Sequence, residues 1–231
     1  MKSQMKKSDM SDVVEYISHS ALDIRRRERT GIIEAIYAEY KSAEKLSDIV
    51  QSLLKRRAPV FITRIDEEKA RYLISKYRGL VYNREARICY LPEKKKRSGL
   101  VSVVSAGTAD GVYVEEAFQT LTYLGNNARK IVDVGVAGIH RLAPYIKVLR
   151  RSSAVIVIAG MEGALPSLIG GLVSVPVIAV PSPIGYGVSS GGYAALLGML
   201  SSCSPNVSVV NIGNTFGAAC IASLINHRRG R

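Results

Sequence analysis

Five short apolar runs, each followed by a glycine-containing loop, are the feature that most constrains this fold. The runs consist mostly of Val, Ile and Ala and cover residues 100–105, 131–136, 154–158, 175–180 and 207–212. Few polar residues interrupt them, which is typical of strands buried on both faces of a parallel sheet. A helix-compatible segment follows each loop. The pattern therefore predicts a doubly wound α/β domain whose ligand site lies where the strands end and the helices begin.

Glycines and acidic residues are distributed unevenly along the chain. Of the 20 glycines, 17 lie in residues 100–231. That segment holds only five acids, which are Asp110, Glu115, Glu116, Asp133 and Glu162. Asp110 and Glu162 fall in loops that follow predicted strands, and Asp133 falls near a strand end. Two interpretations of each acid stay open, namely capping of a helix start and binding of a ligand.

The first 98 residues predict a separate and smaller α+β module. Helices are predicted over 11–29, 32–40, 43–57 and 67–76, and strands over 60–63, 80–83 and 88–91. The charged segment 92–98 offers no residue to a core, which is typical of a linker. The predicted domains are therefore 1–98 and 99–231.

The formal charge of +13 is concentrated in the first module. Residues 1–99 hold 23 Lys/Arg against 14 Asp/Glu, and the remainder holds 9 against 5. Such an excess is compatible with nucleic acid, with an anionic substrate or with a solvated surface. The basic clusters 25–27, 56–57 and 94–97 lack the interleaved aromatic residues of nucleic-acid modules. A phosphate-bearing substrate is therefore the favoured partner, and nucleic acid is disfavoured.

Cellular location and cysteine chemistry follow from what the sequence lacks. No run of about 18 apolar residues occurs, so no membrane span is expected. The basic N-terminus is not followed by an apolar signal core, so a cytoplasmic location is expected. The three cysteines, Cys89, Cys203 and Cys220, have no CxxC spacing and predict free thiols rather than disulfides.

Polar side chains in three of the loops could perform chemistry. Residues 106–110 open a helix after the first strand, where backbone amides and the helix dipole favour a phosphate. His140 could transfer protons and Arg141 could hold phosphate, although a surface role for the histidine is equally open. Glu162 places a carboxylate in the third loop, between glycines that let a ligand approach closely.

The segment 189–200 is small and apolar on nearly all sides. A helix of this kind must be buried, and burial against another subunit is the interpretation that we favour. Cys203 follows it in a polar turn, where a thiol is accessible and can be reactive. Cys220 lies in an apolar helical segment and is interpreted as a packing residue.

At these residues the chain resembles a known family. The resemblance is carried by Gly107-Thr108-Ala109-Asp110, by 115–117, by 133–141, by 159–165, by 176–181, by 185–187, by Cys203 and by 210–212, with Leu22-Asp23 and Arg29-Thr30-Gly31 in the first module. These stretches resemble the LarB family, whose members start synthesis of the nickel-pincer nucleotide cofactor. That family is similar in turn to the carboxyaminoimidazole ribonucleotide mutases, PurE. The resemblance covers nearly the whole chain.

Single positions separate the two families. A mutase carries a histidine one residue before the Leu-Pro of the third loop, and this chain has Ala164 there. Glu162 and Cys203 are not required by the mutase pattern. The chain also departs from LarB, since Ala109 replaces a frequent serine, and Gly213 and Thr215 replace a frequent Asp and Gly.

The resemblance implies a flavodoxin-like, PurE-like α/β domain and a specific reaction. Its substrate would be nicotinic acid adenine dinucleotide, whose electron-poor pyridinium ring cannot attack carbon dioxide. Addition of a cysteine thiolate makes the ring a nucleophilic enamine, which takes up CO2 supplied as bicarbonate. Hydrolysis of the phosphoanhydride then releases AMP, and a divalent metal such as Mg²⁺ would assist this step. PurE-like domains form rings, so a homo-oligomer, and specifically an octamer, is expected.

The predicted site residues are of two kinds. The catalytic candidates are Cys203, Glu162 and His140. The substrate-binding candidates are Gly107, Thr108, Asp110, Asp133, Gly138, Arg141, Gly160, Gly163, Gly185, Gly187 and Asn211, and the ligands of the expected metal are left open. Two alternatives stay open, namely a purine-pathway carboxylase or mutase and a nucleotide-binding module without catalysis.

Overall fold

The protein is described by a computed structural model that covers residues 13–228. The chain divides into two compact units, Met1–Pro92 and Glu93–Arg231. The predicted boundary between 98 and 99 lies a few residues further along the chain. Within residues 13–228, no helix is both long and apolar enough to cross a membrane.

The first unit is an α+β module built on two small sheets. Its elements are β1 Val14–Ile17, β2 Ser20–Asp23, α1 Arg26–Thr30, β3 Ile36–Tyr37, α2 Ala43–Lys55, β4 Phe61–Thr63, α3 Glu67–Lys76, β5 Val81–Asn83 and β6 Ile88–Tyr90. Strands β1 and β2 form an antiparallel hairpin, and the other four form a sheet in the order β3-β4-β6-β5. The buried core includes Leu46, Ile49 and Leu53 of α2, Ile62 of β4 and Leu73 of α3.

Helices α2 and α3 form where the apolar spacing predicts them. Ser42 caps α2, since its side chain accepts a hydrogen bond from the amide of Lys45, and Asp66 caps α3 by accepting one from Lys69. Such caps satisfy amides that have no partner within the helix. The caps therefore fix both helix starts, in agreement with the predicted helices 43–57 and 67–76.

The predicted helix over 11–29 is wrong for residues 14–23, whereas its last four residues belong to α1; residues 11–12 lie outside the described residues. The predicted helix over 32–40 is also wrong. Residues 14–23 form the β1–β2 hairpin, whose two-residue loop is Ser18-His19. In the second segment Ile36 pairs in parallel with Ile62 of β4. The apolar spacing mimicked a helix, but β-branched residues and a short turn are equally compatible with paired strands, and tertiary pairing decided between them.

The second unit is a five-stranded parallel sheet covered by helices. Its elements are β7 Ser98–Ser105, α4 Gly111–Tyr123, β8 Asn126–Ile131, α5 Ile146–Arg151, β9 Ala154–Ala159, α6 Leu165–Gly170, β10 Val177–Pro181, α7 Tyr193–Leu200, β11 Val207–Val209 and α8 Thr215–Arg228. The strand order is β8-β7-β9-β10-β11, and every neighbouring pair is parallel. This is the flavodoxin-like order 2-1-3-4-5, as predicted.

Two apolar layers cover the two faces of this sheet. In β9, Val155 and Val157 contribute to a cluster with residues of α5, α6 and α7. Ile156 and Ile158 alternate with them and join a second cluster with residues of α4 and α8. Because both faces are buried, the central strands are apolar at successive positions, which explains the uninterrupted runs in the sequence.

The second strand lies earlier than predicted. The apolar run 131–136 suggested a strand, but β8 covers Asn126–Ile131 and most of that run forms a loop. Strand β8 is at the sheet edge, where Arg129 and Lys130 are exposed. An edge strand tolerates charged residues, so apolar content did not mark it. The correction matters for function, because the displaced run reaches the candidate site.

Candidate active site

A cavity of about 360 Å³ opens at the carboxyl ends of the central strands. The loops that line it follow β7, β8, β9 and β10. Strands β7 and β9 are neighbours in the sheet, but the chain leaves β7 for β8 on the other side before it reaches β9. The cavity therefore lies at the topological switch point, where open α/β sheets bind their ligands.

Six of the predicted site residues line this cavity. They are Gly107, Asp110, Arg141, Gly160, Glu162 and Gly185. The other lining residues are Ala106, Ala109, Gly135, Val136, Ala137, Ala159, Met161, Ala164, Leu165, Ile184 and Tyr186. The cavity thus combines two acidic residues and one arginine with an otherwise apolar or glycine wall, which suits a ligand that has both an apolar part and charged groups.

Asp110 is the most buried acid of the cavity, with 5% of its surface exposed. Its Oδ2 accepts a hydrogen bond from the amide of Gly107 at 3.2 Å, so it holds the loop and makes no side-chain cap of α4. Burial raises the pKa of this carboxyl, and hydrogen bonds from the Ser182 hydroxyl and the Gly107 amide oppose part of that rise. A carboxyl in this position is suited to bind hydroxyl groups of a ligand or to carry a proton.

If the cavity binds a dinucleotide, as the family resemblance implies, replacing Asp110 with Asn should weaken that binding about tenfold without lowering stability at neutral pH. The raised pKa means that the protonated form stabilises the fold at low pH, and that this contribution is lost as the pH rises through the folded-state pKa. Asparagine removes the buried charge and keeps an acceptor for the Gly107 amide. The melting temperature at pH 7.5 should therefore be equal to that of the wild type or higher, with a smaller difference at pH 4. A purely capping role predicts a lower melting temperature and unchanged affinity, which calorimetry on the variant would detect.

Arg141 is held at the cavity by an acid from its own loop. Its Nη1 donates to Oδ2 of Asp133 at 2.8 Å. Asp133 has a φ of 59°, a left-handed backbone conformation that is uncommon outside glycine. Gly138 packs against the guanidinium, since a Cβ there would lie 2.6 Å from Nε of Arg141. The loop thus presents a positioned guanidinium that can bind a phosphate or carboxylate.

Glu162 lies in the loop after β9, and two positions of this loop, Gly160 and Gly163, require glycine. A Cβ on Gly160 would collide with the carbonyl oxygen of Ile184, so the backbones of two lining loops meet there. Gly163 has a φ of 70°, which favours glycine, and a Cβ there would lie 2.6 Å from the carbonyl oxygen of Ala195. These contacts fix the loop that carries the Glu162 carboxylate.

Four other predicted residues do not line the cavity. Thr108 begins the short 3-10 turn that precedes α4. Gly187 has a φ of 58° and open space around it. His140 and Asn211 are exposed, and the Asn211 side chain accepts a hydrogen bond from the amide of Ile212. The structure gives these four residues no direct place in the cavity wall.

Cys203 is exposed, as predicted, but it lies away from the other candidates. It precedes β11, whose Val207 pairs with Val177 at the start of β10, so the cysteine is on the amino-terminal side of the sheet. Hydrogen bonds hold the turn to α6, from the Ser204 hydroxyl to the carbonyl of Ser167 at 2.8 Å among others. Cys203 therefore does not join Glu162 and His140, the other catalytic candidates, at the carboxyl ends of the strands, and the grouping of these three residues in one site is wrong for a single chain.

The two remaining cysteines are buried thiols. Burial raises the pKa of Cys89 and of Cys220 to about 12 each. Cys220 is 4% exposed on α8 and contributes to the interior, in agreement with a packing role. The thiolate is the reactive form of a cysteine, and burial disfavours it at Cys89 and Cys220. Cys203 is exposed and is therefore the cysteine that is accessible for reaction.

Sequence reasoning missed the apolar rim of the cavity. Tyr186 is 78% exposed and lines the cavity together with Met161 and Ile184, which are also exposed. Met161 has a φ of 52°, again left-handed. Large apolar residues placed between glycines in loops that follow buried strands were a usable signal for this rim.

The fold and the cavity define a flavodoxin-like α/β domain with a ligand site at its switch point. Residues 100–229 match the model of the AIR carboxylase family, and residues 14–95 match the LarB/PurE-like N-terminal domain. The chain therefore belongs to the AIR carboxylase family and has the LarB-type arrangement, with a PurE-like domain at its C-terminal side. Its enzyme class is that of the carboxylases and mutases of this family.

Individual proteins similar to this chain include one curated relative and two solved structures. The uncharacterized protein MJ0165 of Methanocaldococcus jannaschii is 40% identical over 214 residues, which are 88% of this chain and 82% of the relative. PurE of Treponema denticola is 16% identical, with a TM-score of 0.41, and spans 57% of this chain and 92% of its own. A PurE2 variant from the same organism is 15% identical, with a TM-score of 0.42, over 58% and 93%.

Proposed function

We propose that this protein carboxylates the pyridinium ring of nicotinic acid adenine dinucleotide and hydrolyses its phosphoanhydride. The products would be pyridinium-3,5-biscarboxylic acid mononucleotide and AMP, at the first step of nickel-pincer nucleotide synthesis. The observation that carries this proposal is the wall of the cavity at Ala164 and Glu162. The mutase pattern has a histidine at the position of Ala164. Neither His19, His140 nor His227 lines this cavity, and a carboxylate is present instead.

The chemistry assigns separate roles to the thiol and to the cavity. The thiolate of Cys203 forms a C–S bond to the ring, and the ring electrons become those of an enamine. A ring carbon then forms a C–C bond to CO2, which becomes the new carboxylate. Glu162 takes the proton from that ring carbon, the C–S bond breaks, and the thiolate leaves with its electron pair as aromaticity returns.

The second reaction takes place at the phosphates. Water attacks one phosphorus of the anhydride, the bridging P–O bond breaks, and AMP leaves. We assign Arg141 to the phosphates, because its Asp133 partner fixes the guanidinium beside the cavity. No cluster of three candidate metal ligands occurs between residues 13 and 228. Mg²⁺ commonly binds substrate phosphates with only one or two carboxylates, for which Asp110 and Glu162 are the candidates, and it would neutralise phosphate charge.

The position of Cys203 requires a second copy of the chain in this proposal. The cysteine and the cavity lie at different ends of the sheet, and hydrogen bonds hold the cysteine-bearing turn to α6. We therefore propose that the thiol acts in the cavity of a neighbouring subunit. Helix α7, which leads to this turn, exposes Tyr193, Leu197 and Leu200 on one face, and such a face is typical of a subunit interface.

We expect a homo-oligomer, specifically an octamer, and Leu197→Lys should reduce its mass. Leu197 is 64% exposed in the single chain, and a charge placed in an apolar interface is not tolerated. Light scattering at micromolar concentration measures the change. Ile74→Lys is the matched control, since Ile74 is a partly exposed apolar residue of α3 outside this face. A monomeric wild type would contradict the expectation.

The decisive experiment for the proposed function is a mass-spectrometric assay. The protein is incubated with nicotinic acid adenine dinucleotide, bicarbonate and Mg²⁺, and the mixture is searched for AMP and the dicarboxylated mononucleotide. Isotopically labelled bicarbonate should label the second product only. Intact dinucleotide after prolonged incubation, with a correctly folded protein, would reject the proposal.

A purine-pathway reaction is the second candidate, because residues 100–229 match the AIR carboxylase model. The same assay with aminoimidazole ribonucleotide in place of the dinucleotide distinguishes the two. Turnover of the imidazole substrate alone would favour the purine pathway. Saturable binding of either nucleotide without turnover would favour a binding module.

A further inference from the structure

The first unit contains a cavity of about 440 Å³ that is lined by arginines from two distant parts of the chain. Arg25 and Arg27 come from the segment at the start of α1, and Arg56 and Arg57 follow α2. Two basic clusters that are about thirty residues apart in sequence therefore meet around one space. The proposed reaction in the second unit uses none of these residues.

The charges of the cavity favour an anion. Four arginines line it, and Glu28 is the one acid among its lining residues. Nε of Arg25 lies 4.0 Å from Oε2 of Glu28, which is a long ion pair, and Arg56 pairs with Glu15. Among residues 13–228, the guanidinium of Arg57 has no ion-pair partner. Arg25, Arg27 and Arg56 each have an interaction within the protein, so Arg57 is the arginine of the cavity whose charge no acid among residues 13–228 compensates.

The end of helix α2 explains the presence of two of these four arginines but not of the other two. Arg56 and Arg57 follow the last turn of α2, where the helix dipole favours cations. That account does not extend to Arg25 and Arg27, which come from another element and face the same cavity. The lining also includes the apolar side chains of Ile24, Ala58 and Pro59, which a helix-end role does not need.

We propose that this cavity binds a small molecule that carries two or more linked phosphates, such as a nucleoside diphosphate. A guanidinium can donate two parallel hydrogen bonds to two oxygens of one phosphate. Several arginines around one cavity can therefore bind several linked phosphates. The volume falls within the usual range of small-molecule sites and exceeds the needs of a single phosphate. The apolar lining residues offer a surface for the remainder of the ligand. A nucleic acid would instead require an extended basic stripe with stacking aromatics.

The test uses the full-length protein with ADP and, separately, inorganic tripolyphosphate. Calorimetry should show saturable binding that weakens with salt. Hydrogen exchange should show protection in residues 24–30 and 54–60. The double variant Arg25→Gln/Arg57→Gln should weaken binding by about tenfold or more, and Glu28→Gln should strengthen it. Arg78→Gln, which removes an exposed arginine of the same unit outside the cavity, should change affinity less than about twofold.

Several outcomes would overturn this site. Equal losses in Arg78→Gln and in the double variant would indicate nonspecific charge attraction. Protection confined to residues 106–110 and 160–164 would place the anion in the other cavity. Tighter binding of single-stranded RNA than of ADP, with the same dependence on Arg25 and Arg57, would assign the cluster to nucleic acid. None of these outcomes depends on whether the second unit carboxylates its substrate.

Discussion

Replacing Cys203 with serine should reduce ring carboxylation by roughly a thousandfold or more while leaving the fold and dinucleotide binding intact. Serine keeps nearly the same shape but has a hydroxyl that ionises far less readily than a thiol. Cys203 is exposed, so the substitution disturbs little packing. Product is measured by mass spectrometry, binding by calorimetry and folding by thermal melting. AMP release should also fall if hydrolysis must follow carboxylation.

Cys220→Ser is the matched control for this prediction. Cys220 is buried on α8, and a hydroxyl there without a strong partner costs roughly 1–3 kcal/mol of the free energy of unfolding. The melting temperature should therefore drop by several degrees, with carboxylation per folded molecule nearly unchanged. Wild-type carboxylation by Cys203→Ser would show that the covalent mechanism is wrong for this protein.

The parts of the fold that the sequence predicts best are those with two buried faces. Strands β9 and β10 are apolar at nearly every position, and their boundaries in the structure differ from the predicted ones by one or two residues. The position predicted for the edge strand β8 was wrong by several residues, because an edge strand tolerates charged residues such as Arg129 and Lys130 and its apolar content did not mark it. The β1–β2 hairpin was mistaken for a helix, since short apolar spacings fit both structures and only pairing with Ser20–Asp23 separates them.

The candidate site was also predicted from the order of strands and loops, and that prediction was right for the loops that follow strands and wrong for Cys203. Strand-end loops predicted Asp110, Arg141 and Glu162 together, because the carboxyl ends of parallel strands meet at one edge. Cys203 was grouped with them although it precedes β11 rather than following it. Position relative to a strand, before or after, decides the edge of the sheet. The sequence contained that information, but a polar turn alone did not reveal it.

The separation of Cys203 from the cavity leads to the second large effect, which is complementation between two inactive variants. Glu162→Gln should be inactive because it removes the carboxylate that we assign to ring-proton removal. Cys203→Ser should be inactive because it removes the nucleophile. If the thiol acts in a neighbouring subunit, some sites in a mixed oligomer combine an intact Glu162 from one chain with an intact Cys203 from another.

Co-expression of the two variants with different tags, followed by purification on both tags, should therefore restore about a quarter of wild-type carboxylation when the chains mix evenly. The estimate follows because each active site must draw its cavity from one kind of chain and its thiol from the other. Pairing Glu162→Gln with the double variant Glu162→Gln/Cys203→Ser should restore nothing. If the thiol acted within its own subunit, every site would keep one defect and the mixed oligomer would stay inactive. That result would refute the shared site while leaving the requirement for Cys203 to be judged by the single variant.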